Sequence, residues 1–539
     1  MKFSLGYNHD IGMVALLERY RAHIEALYFP APGRLIGSGR HLDQDNRYET
    51  QIPELIAACQ KLDIRSQLLL NATCEGRDGL AKNFFSPLVT YVKDLRDRGL
   101  TTIVVTNPLY IEQFKKCIPG LVVEASVNCY MRTPEHAVYL KNLGADILTI
   151  DRDINRDISL IRKIKEATGL PLRLMLNEGC VRNCPFRNLH YNYIAHGGIP
   201  PHEALRGICL DKFCMKIYRK NPEKIFAIPF VLPEDVRRYK GLVDFYKLTT
   251  RIFSTKQLEA CLKAYISGTF TGNLLTIIDS PGLAAFEYVD SAYLVKKKFF
   301  KRMLSCDGVC RRCGYCARLL SRAAVLNREY LPETVRASQA LQAIQVYRRA
   351  RKSQGFDSAL QINVGRASMD AGLYKKAIRA FKNVIVRNPG EAEAYLLLSS
   401  CYEKSAQIKE AFRVYHEALK RLPQARPLYV GLARLYFAMR DYDAVIKNIQ
   451  RALDIPGQEH IPRLYFMLGI SYQKTRCYKK ALRFFNKLQK YPPVDPEVYA
   501  HLSQCYRALG EVRRAKDTLA RGSALRDNNE TSALTRHAA

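Results

Sequence analysis

"LVVEASVNCYMRTPEHAVYLKNLGADILTID", residues 121–151, reads as strand, helix and strand in immediate succession. "LVVEASV" (121–127) and "ADILTID" (145–151) are short, β-rich apolar runs that close on polar residues, the pattern of buried parallel strands. "PEHAVYLKNLGA" (134–145) is amphipathic, with a proline at its start and a glycine near its end, the usual punctuation of a helix. A helix between two such strands is the unit of a parallel sheet with right-handed crossovers.

The same unit recurs on both sides. "KFSLGY" (2–7), "IEALYF" (24–29), "RSQLLLN" (65–71), "TTIVVTN" (101–107), "PLRLMLN" (171–177), "KIFAIPFVL" (224–232) and "VDFYKLTT" (243–250) are strand-like. "SPLVTYVKDLRDRGL" (86–100) and "STKQLEACLKAYISG" (254–268) are helical. About eight units over about 250 residues predict a closed α/β TIM-like barrel rather than an open sheet. No G-x-G-x-x-G follows the first strand, so nothing supports dinucleotide binding. Barrel chemistry sits where strands end. Asn8, Asn71 with Cys74, Asn107, Asn128 with Cys129, Asp151 and Asn177 to Cys184 all lie at such ends. Each polar residue among them also suits the cap of a following helix.

After the strand at 171–177 comes "NEGCVRNCPFRNLHYNYIAH" (177–196), and then "GICLDKFCMKIYRK". Together they set Cys180 and Cys184 as C-x3-C, and Cys209 and Cys214 as C-x4-C after a gap of 24 residues. Two close thiol pairs are ligand sets for an iron–sulfur cluster or a structural zinc. Zinc usually takes C-x2-C knuckles, and neither pair has that spacing, which favours a [4Fe–4S] cluster. His190, Asn192 and His196 follow on a helical stretch, where a histidine serves as acid, base or hydrogen-bond donor, or merely as a satisfied structural side chain. Asn71 at the end of the third strand joins them as a candidate substrate contact.

"SCDGVCRRCGYC" places Cys306, Cys310, Cys313 and Cys316 as C-x3-C-x2-C-x2-C. Its first three cysteines have the spacing of radical enzymes that bind S-adenosylmethionine. Cys316 would close the fourth site, and the motif lies after the barrel strands. A closed cluster or a zinc site fits better. The flanks are basic, with "VKKKFFKRM" (295–303) before the motif and Arg311–Arg312 inside it. Such cations either offset a thiolate cluster or meet a phosphate backbone.

From residue 357 the chain repeats. Ala377, Ala411, Ala444, Ala481 and Ala515 recur at spacings of 34, 33, 37 and 34. Gly365, Ser399, Ala433, Gly469 and Ser503 occupy the matching small position of a preceding helix. The pattern resembles the tetratricopeptide repeat, a stacked helix pair of about 34 residues. Such arrays bind a protein or peptide on one face. Cys401, Cys477 and Cys505 fall at positions read as inert helical core.

The expected order is therefore a barrel over 1–285, a basic Cys-rich metal-binding segment over 286–320 and a helical linker over 321–356. About five repeats then fill 357–527, an all-α solenoid, with a disordered tail over 528–539. For 539 residues, two or three domains are the prior, and 47% apolar with 25% charged residues is a globular profile. No apolar run reaches about 18 residues, so no membrane span is expected. "MKFSLGYNHDIGMVALL" does not read as a signal peptide, which places the chain in the cytoplasm with its 16 cysteines reduced. Residues 1–150 hold 17 Lys and Arg against 16 Asp and Glu, whereas residues 321–539 hold 38 against 19. That basic second half suits RNA, or is simply a solubilising surface.

"LMLNEGCVRNCPFRNLHYNYIAH", "LLNATCEG" (69–76), "FVLPEDVRRYKGLVDFYKLTTR" (230–251) and "AYISGTFTGNLL" (264–275) resemble the collagenase-like peptidase family, U-thirty-two in the peptidase classification. The likeness covers about residues 1–280. Relatives include oxygen-independent hydroxylases of ubiquinone precursors, transfer RNA and ribosomal RNA. The resemblance implies a TIM-like barrel with a [4Fe–4S] cluster on Cys180, Cys184, Cys209 and Cys214. It implies a redox modification of RNA or a small aromatic substrate, with an electron donor as partner. Several of those relatives space their cysteines differently, and the Cys306–Cys316 group and the repeats lie outside the shared core. Two other readings are a peptidase and a scaffold. The peptidase would use Cys74 or Cys129 with a histidine, although G-x-S-x-G and H-E-x-x-H are both missing. The scaffold would have an idle barrel and repeats that recruit a partner.

Overall fold

Eight short parallel strands close on themselves: β1 (Phe3–Gly6), β2 (Ile24–Pro30), β3 (Arg65–Leu70), β4 (Thr102–Val105), β5 (Val122–Ala125), β6 (Ile147–Thr149), β7 (Leu172–Met175) and β8 (Phe245–Leu248). Each pairs with its sequence neighbour, and β8 pairs with β1. The computed structural model describes residues 1–33, 35–36, 48–75, 85–195, 213–250, 252–279, 281–306, 308, 310–330, 333–456, 461–489 and 496–523. The chain forms two compact units, Met1–Gly355 and Phe356–Ala539.

The outward side chains of the strands, among them Phe3, Leu5, Leu27, Leu68, Ile103, Val123, Leu148 and Leu174, pack against the surrounding helices in one continuous core. Alternation sends the other set inward. There the barrel departs from the usual aliphatic layers. Arg173 of β7 is fully buried and reaches both Glu124 of β5, at 2.8 Å, and Glu25 of β2, at 2.9 Å. Gln67 of β3 and Thr149 of β6 donate to Glu124, and Ser4 of β1 donates to Glu25. Phe245 of β8 lies under the Arg173 guanidinium at 5.0 Å. Glu25 enters this set at a bulge: Phe3 faces Ile24 and Ser4 faces Ala26, which leaves Glu25 as the extra residue.

The strand expected over 224–232 does not form. Pro222–Ala227 is a 3-10 turn, and residues 228–232 run without a ladder. Side chains take the carbonyls that a neighbouring strand would have used. Arg156 donates to Phe226 and Phe230, and Asn155 donates to Pro229. Pro229 itself has no amide hydrogen to offer a ladder.

Beyond the barrel, β9 (Phe286–Val289) and β10 (Ala324–Leu326) form an antiparallel pair. The cysteine-rich stretch is looped out between them and stays within the first unit, as does the helix Glu333–Gln354. The second unit contains five helix pairs among the described residues. They are Ser358–Asp370 with Tyr374–Arg387, Ala392–Lys404 with Ile408–Arg421, Arg426–Ala438 with Tyr442–Asp454, Ile461–Lys474 with Tyr478–Leu488, and Pro496–Ala508 with residues 512–523. The small residues have the expected reason. A Cβ on Gly365 would meet the Phe381 ring at 2.3 Å, and one on Gly469 would meet the Phe485 ring at 2.5 Å. Cys401 and Cys505 are buried, but Cys477 is not a core residue. It is exposed, at the N-terminal cap of the helix Tyr478–Leu488.

Two stability measurements check this architecture. Glu124→Gln leaves Arg173 with one carboxylate in the barrel interior and should cost about 3 kcal/mol or more. Urea unfolding followed by circular dichroism reads it, and an unchanged midpoint would mean that the pair does not hold the strands. Gly469→Ala should cost about 1–3 kcal/mol, because the Phe485 ring must move. A thermal melt of the repeat unit's helical signal gives that value.

Candidate functional site at the barrel mouth

The loops that follow β5, β6 and β7 converge on one buried cation. Arg152 follows β6 in "DRD" and is 2% exposed. Its guanidinium donates to the Tyr191 hydroxyl at 2.7 Å and to Asn128 Oδ1 at 3.0 Å, and pairs with Glu178 at 3.6 Å. Asn128 in turn donates to the Asn71 carbonyl at 3.2 Å, which ties the end of β3 to the end of β5. The Glu178 carboxylate accepts from the Cys180 amide at 3.1 Å. The Cys180 thiol lies 3.5 Å from the Tyr191 hydroxyl. Burial pushes this thiol up to about 12. The Glu178 carboxylate adds to that rise, and the charges of Arg152 and Arg187 oppose it.

A second ion-pair set holds the cysteine loop in place. Both oxygens of Asp153 accept from Arg187, which also donates to the Val181 carbonyl. Asp153 further accepts from the Asn183 amide at 3.1 Å and pairs with Arg132 at 2.8 Å. Asn183 has φ of 51°, so the loop turns through a left-handed residue between Cys180 and Cys184. Asn177, at the root of the loop, donates to the Thr249 carbonyl and accepts from the Thr249 amide and hydroxyl. Cys184 is half-buried against the main core.

Asn71 is buried in this network, and His190 and Asn192 lie half-buried on the helix Arg187–Ala195. The His190 ring stacks on Tyr191, with centroids 6.0 Å apart. His196 and Cys209 lie outside the described residues, and Cys214 belongs to the helix Phe213–Lys220, with its side chain outside them. Asn107 and Asp151 act as caps, of the helix Pro108–Cys117 and of a 3-10 turn. Arg152, Asp153, Glu178 and Tyr191 went unnoticed in the sequence, although the first three directly follow strand ends, where barrel chemistry collects. Glu75 was also missed. Burial raises its carboxyl against the hydrogen bonds of Tyr110 and Asn107.

The Cys129 thiol donates to the Val105 and Thr106 carbonyls, at 3.5 and 3.3 Å, and burial pushes it up to about 12. It is a poor nucleophile as it stands. The second cysteine group lines one pocket, with Cys306, Cys310, Cys313 and Cys316 all on its wall. Arg302 donates to Cys313 Sγ at 3.2 Å. Among the described residues no three His, Cys, Asp or Glu side chains are already gathered as a metal site.

Asp153 makes a pH prediction. Burial alone would raise its carboxyl, but the hydrogen bonds and charge of Arg187 outweigh burial and hold it below the usual carboxylate value. A depressed folded pKa stabilises the protein above the unfolded value of about 3.9 and loses that contribution as pH falls through the folded one. Asp153→Asn should therefore lower the melting temperature at pH 7. Melts at a series of pH values should show the gap from wild type shrinking below about pH 4. A gap that stays constant down to pH 2 would remove this role from Asp153.

The comparisons follow the two units. An uncharacterized protease of Methanocaldococcus jannaschii is 27% identical over 290 residues, 53% of this chain and 85% of its own length. A solved U32 peptidase structure is 20% identical and covers 46% of this chain and 92% of its own, with a TM-score of 0.35. Residues 329–526 match the tetratricopeptide-repeat family. The TPR repeat-containing protein YpiA of Bacillus subtilis is 24% identical over 29% of this chain, which spans 36% of that relative. No helix among the described residues is long and apolar enough to cross a membrane. The chain joins an N-terminal region similar to an archaeal protease to a C-terminal array of tetratricopeptide repeats.

Proposed function

We propose that the first unit is an iron–sulfur enzyme performing an oxygen-independent hydroxylation or related redox modification. Its substrate is RNA or a small aromatic compound, an electron-carrying partner serves it, and the repeats hold a protein or peptide. The reaction class rests on the resemblance of residues 1–280 to the U-thirty-two family. The observation that carries it to this site is the placement of Cys180 beside a buried cation at the barrel mouth. Cys180, Cys184, Cys209 and Cys214 would hold the [4Fe–4S] cluster, which supplies one-electron transfer when bound.

The donor chemistry suits that group. The charges of Arg152 and Arg187 both act on the Cys180 thiol, and an anionic thiolate cluster in a buried place needs such cations. Arg152 also fixes the Tyr191 phenol and the Asn128 amide. Asn71, His190, Asn192 and His196 are the proposed substrate contacts. The basic second half of the chain favours a polyanionic substrate.

The peptidase reading is supported by the similarity to the archaeal relative, which is called an uncharacterized protease. The protonated Cys129 thiol weighs against it.

The test is metal analysis of the full chain purified without oxygen. Cys180→Ser should lose about four irons with their sulfides and all modifying activity. Full iron, sulfide and activity in Cys180→Ser would sink the assignment. Peptide hydrolysis that survives the substitution and needs no reductant would favour the peptidase.

A further inference from the structure

The loop between β9 and β10 brings four thiols to one pocket. Cys306 follows the helix Phe299–Leu304, Cys310 and Cys313 bracket a single helical turn, and Cys316 lies in the first turn of the helix Tyr315–Ala323. Gly308 and Gly314, with φ of 80° and 58°, make the two reversals that let so short a segment fold its thiols toward one another. Besides these residues, the pocket wall includes Arg302, Met303, Tyr315 and Glu223.

The charge around the pocket is positive. Arg302 donates to Cys313 Sγ at 3.2 Å, and its guanidinium lies 5.5 Å from the Tyr315 ring centre. Arg318 donates to the Cys313 carbonyl. Deeper in, Arg156 is 8% exposed and lies against the 3-10 turn Pro222–Ala227, which packs on the helix Tyr315–Ala323 that carries Cys316. Its hydrogen bonds go to the Phe226 and Phe230 carbonyls, and its faces to the Phe230 and Phe299 rings. Among the described residues Arg156 has no carboxylate partner. A buried cation without a counter-charge is costly, and buried charges are normally paired.

We propose that Cys306, Cys310, Cys313 and Cys316 form a closed four-thiolate metal centre, docked on the barrel unit beside Arg156, with Arg302 as a hydrogen-bond donor to its sulfur. Four thiolates around Zn²⁺, or around a [4Fe–4S]²⁺ core, carry a net charge of −2. That is the counter-charge Arg156 and Arg302 lack among the described residues. The thiols share a pocket but are not yet at ligand distance, so metal binding draws the loop in, as it does where binding and local folding are coupled. The four ligands leave no open position, which makes this a structural or electron-transfer centre and not a substrate site. The inference holds whether or not the barrel mouth carries a cluster of its own.

The test uses the full chain purified anaerobically, with zinc, iron and acid-labile sulfide measured per chain. Cys310→Ser and Cys313→Ser should each lose the same centre, either one zinc or four irons with four sulfides, and Cys180→Ser should retain it. Zinc lost identifies a zinc site, and iron with sulfide lost identifies a cluster. Wild-type metal content in both variants overturns the proposal. A second measurement needs no variant. Cys310 and Cys477 are both exposed. In the wild-type chain Cys310 should resist alkylation until a chelator removes the metal, whereas Cys477 should react at once. Equal labelling of the two without chelator also overturns it.

Discussion

The salt bridge inside the barrel is the constraint on which the first unit depends. Arg173 cannot be left unpaired where it sits, so Glu25 and Glu124 must both reach it, one from β2 and one from β5. With Ser4, Gln67, Thr149 and Phe245, the set draws on seven of the eight strands. An aliphatic interior tolerates a slip of register, because one methyl group packs much like another. A guanidinium between two carboxylates does not, because a one-residue shift would turn a charge away from its partner. The bulge at Glu25 is the visible cost of bringing that carboxylate inward.

A fixed barrel then fixes its mouth. Arg152 stands at the end of β6, with Asn128 from the segment after β5 and Glu178 and Tyr191 from the segment after β7 around it. The Asp153–Arg187 pair pins the loop that carries Cys180 and Cys184. The site is thus held by charge on charge, two steps removed from the interior pair. The second cysteine group uses the opposite arrangement, in which cations lie in place and, among the described residues, Arg156 has no carboxylate partner. Cys180 and Cys313 therefore each sit beside guanidinium groups, although the two motifs differ in spacing.

The repeat unit is built on another principle. Gly365, Gly431 and Gly469 are places where a ring from a neighbouring helix already fills the space of a side chain. Close packing of many small contacts replaces the few strong charges of the barrel, which suits an array whose units each touch only their neighbours.

How much of this was legible in the chain follows from the range of each interaction. Strands, helices and repeats are short-range patterns, so the barrel and the helix pairs could be read from runs such as 121–151 and from the alanines at 377, 411, 444, 481 and 515. The cysteine spacings were legible for the same reason. The false strand over 224–232 shows the limit, since its apolar pattern was real but Arg156 and Asn155 had claimed its carbonyls from about 70 residues away in sequence. The mouth network was invisible because Arg152, Glu178 and Tyr191 have no mutual spacing to recognise. By itself the sequence determined the architecture and the thiols available for a metal. Only the tertiary structure decided which charges surround those thiols, because electrostatic partners are chosen by distance in space and not along the chain.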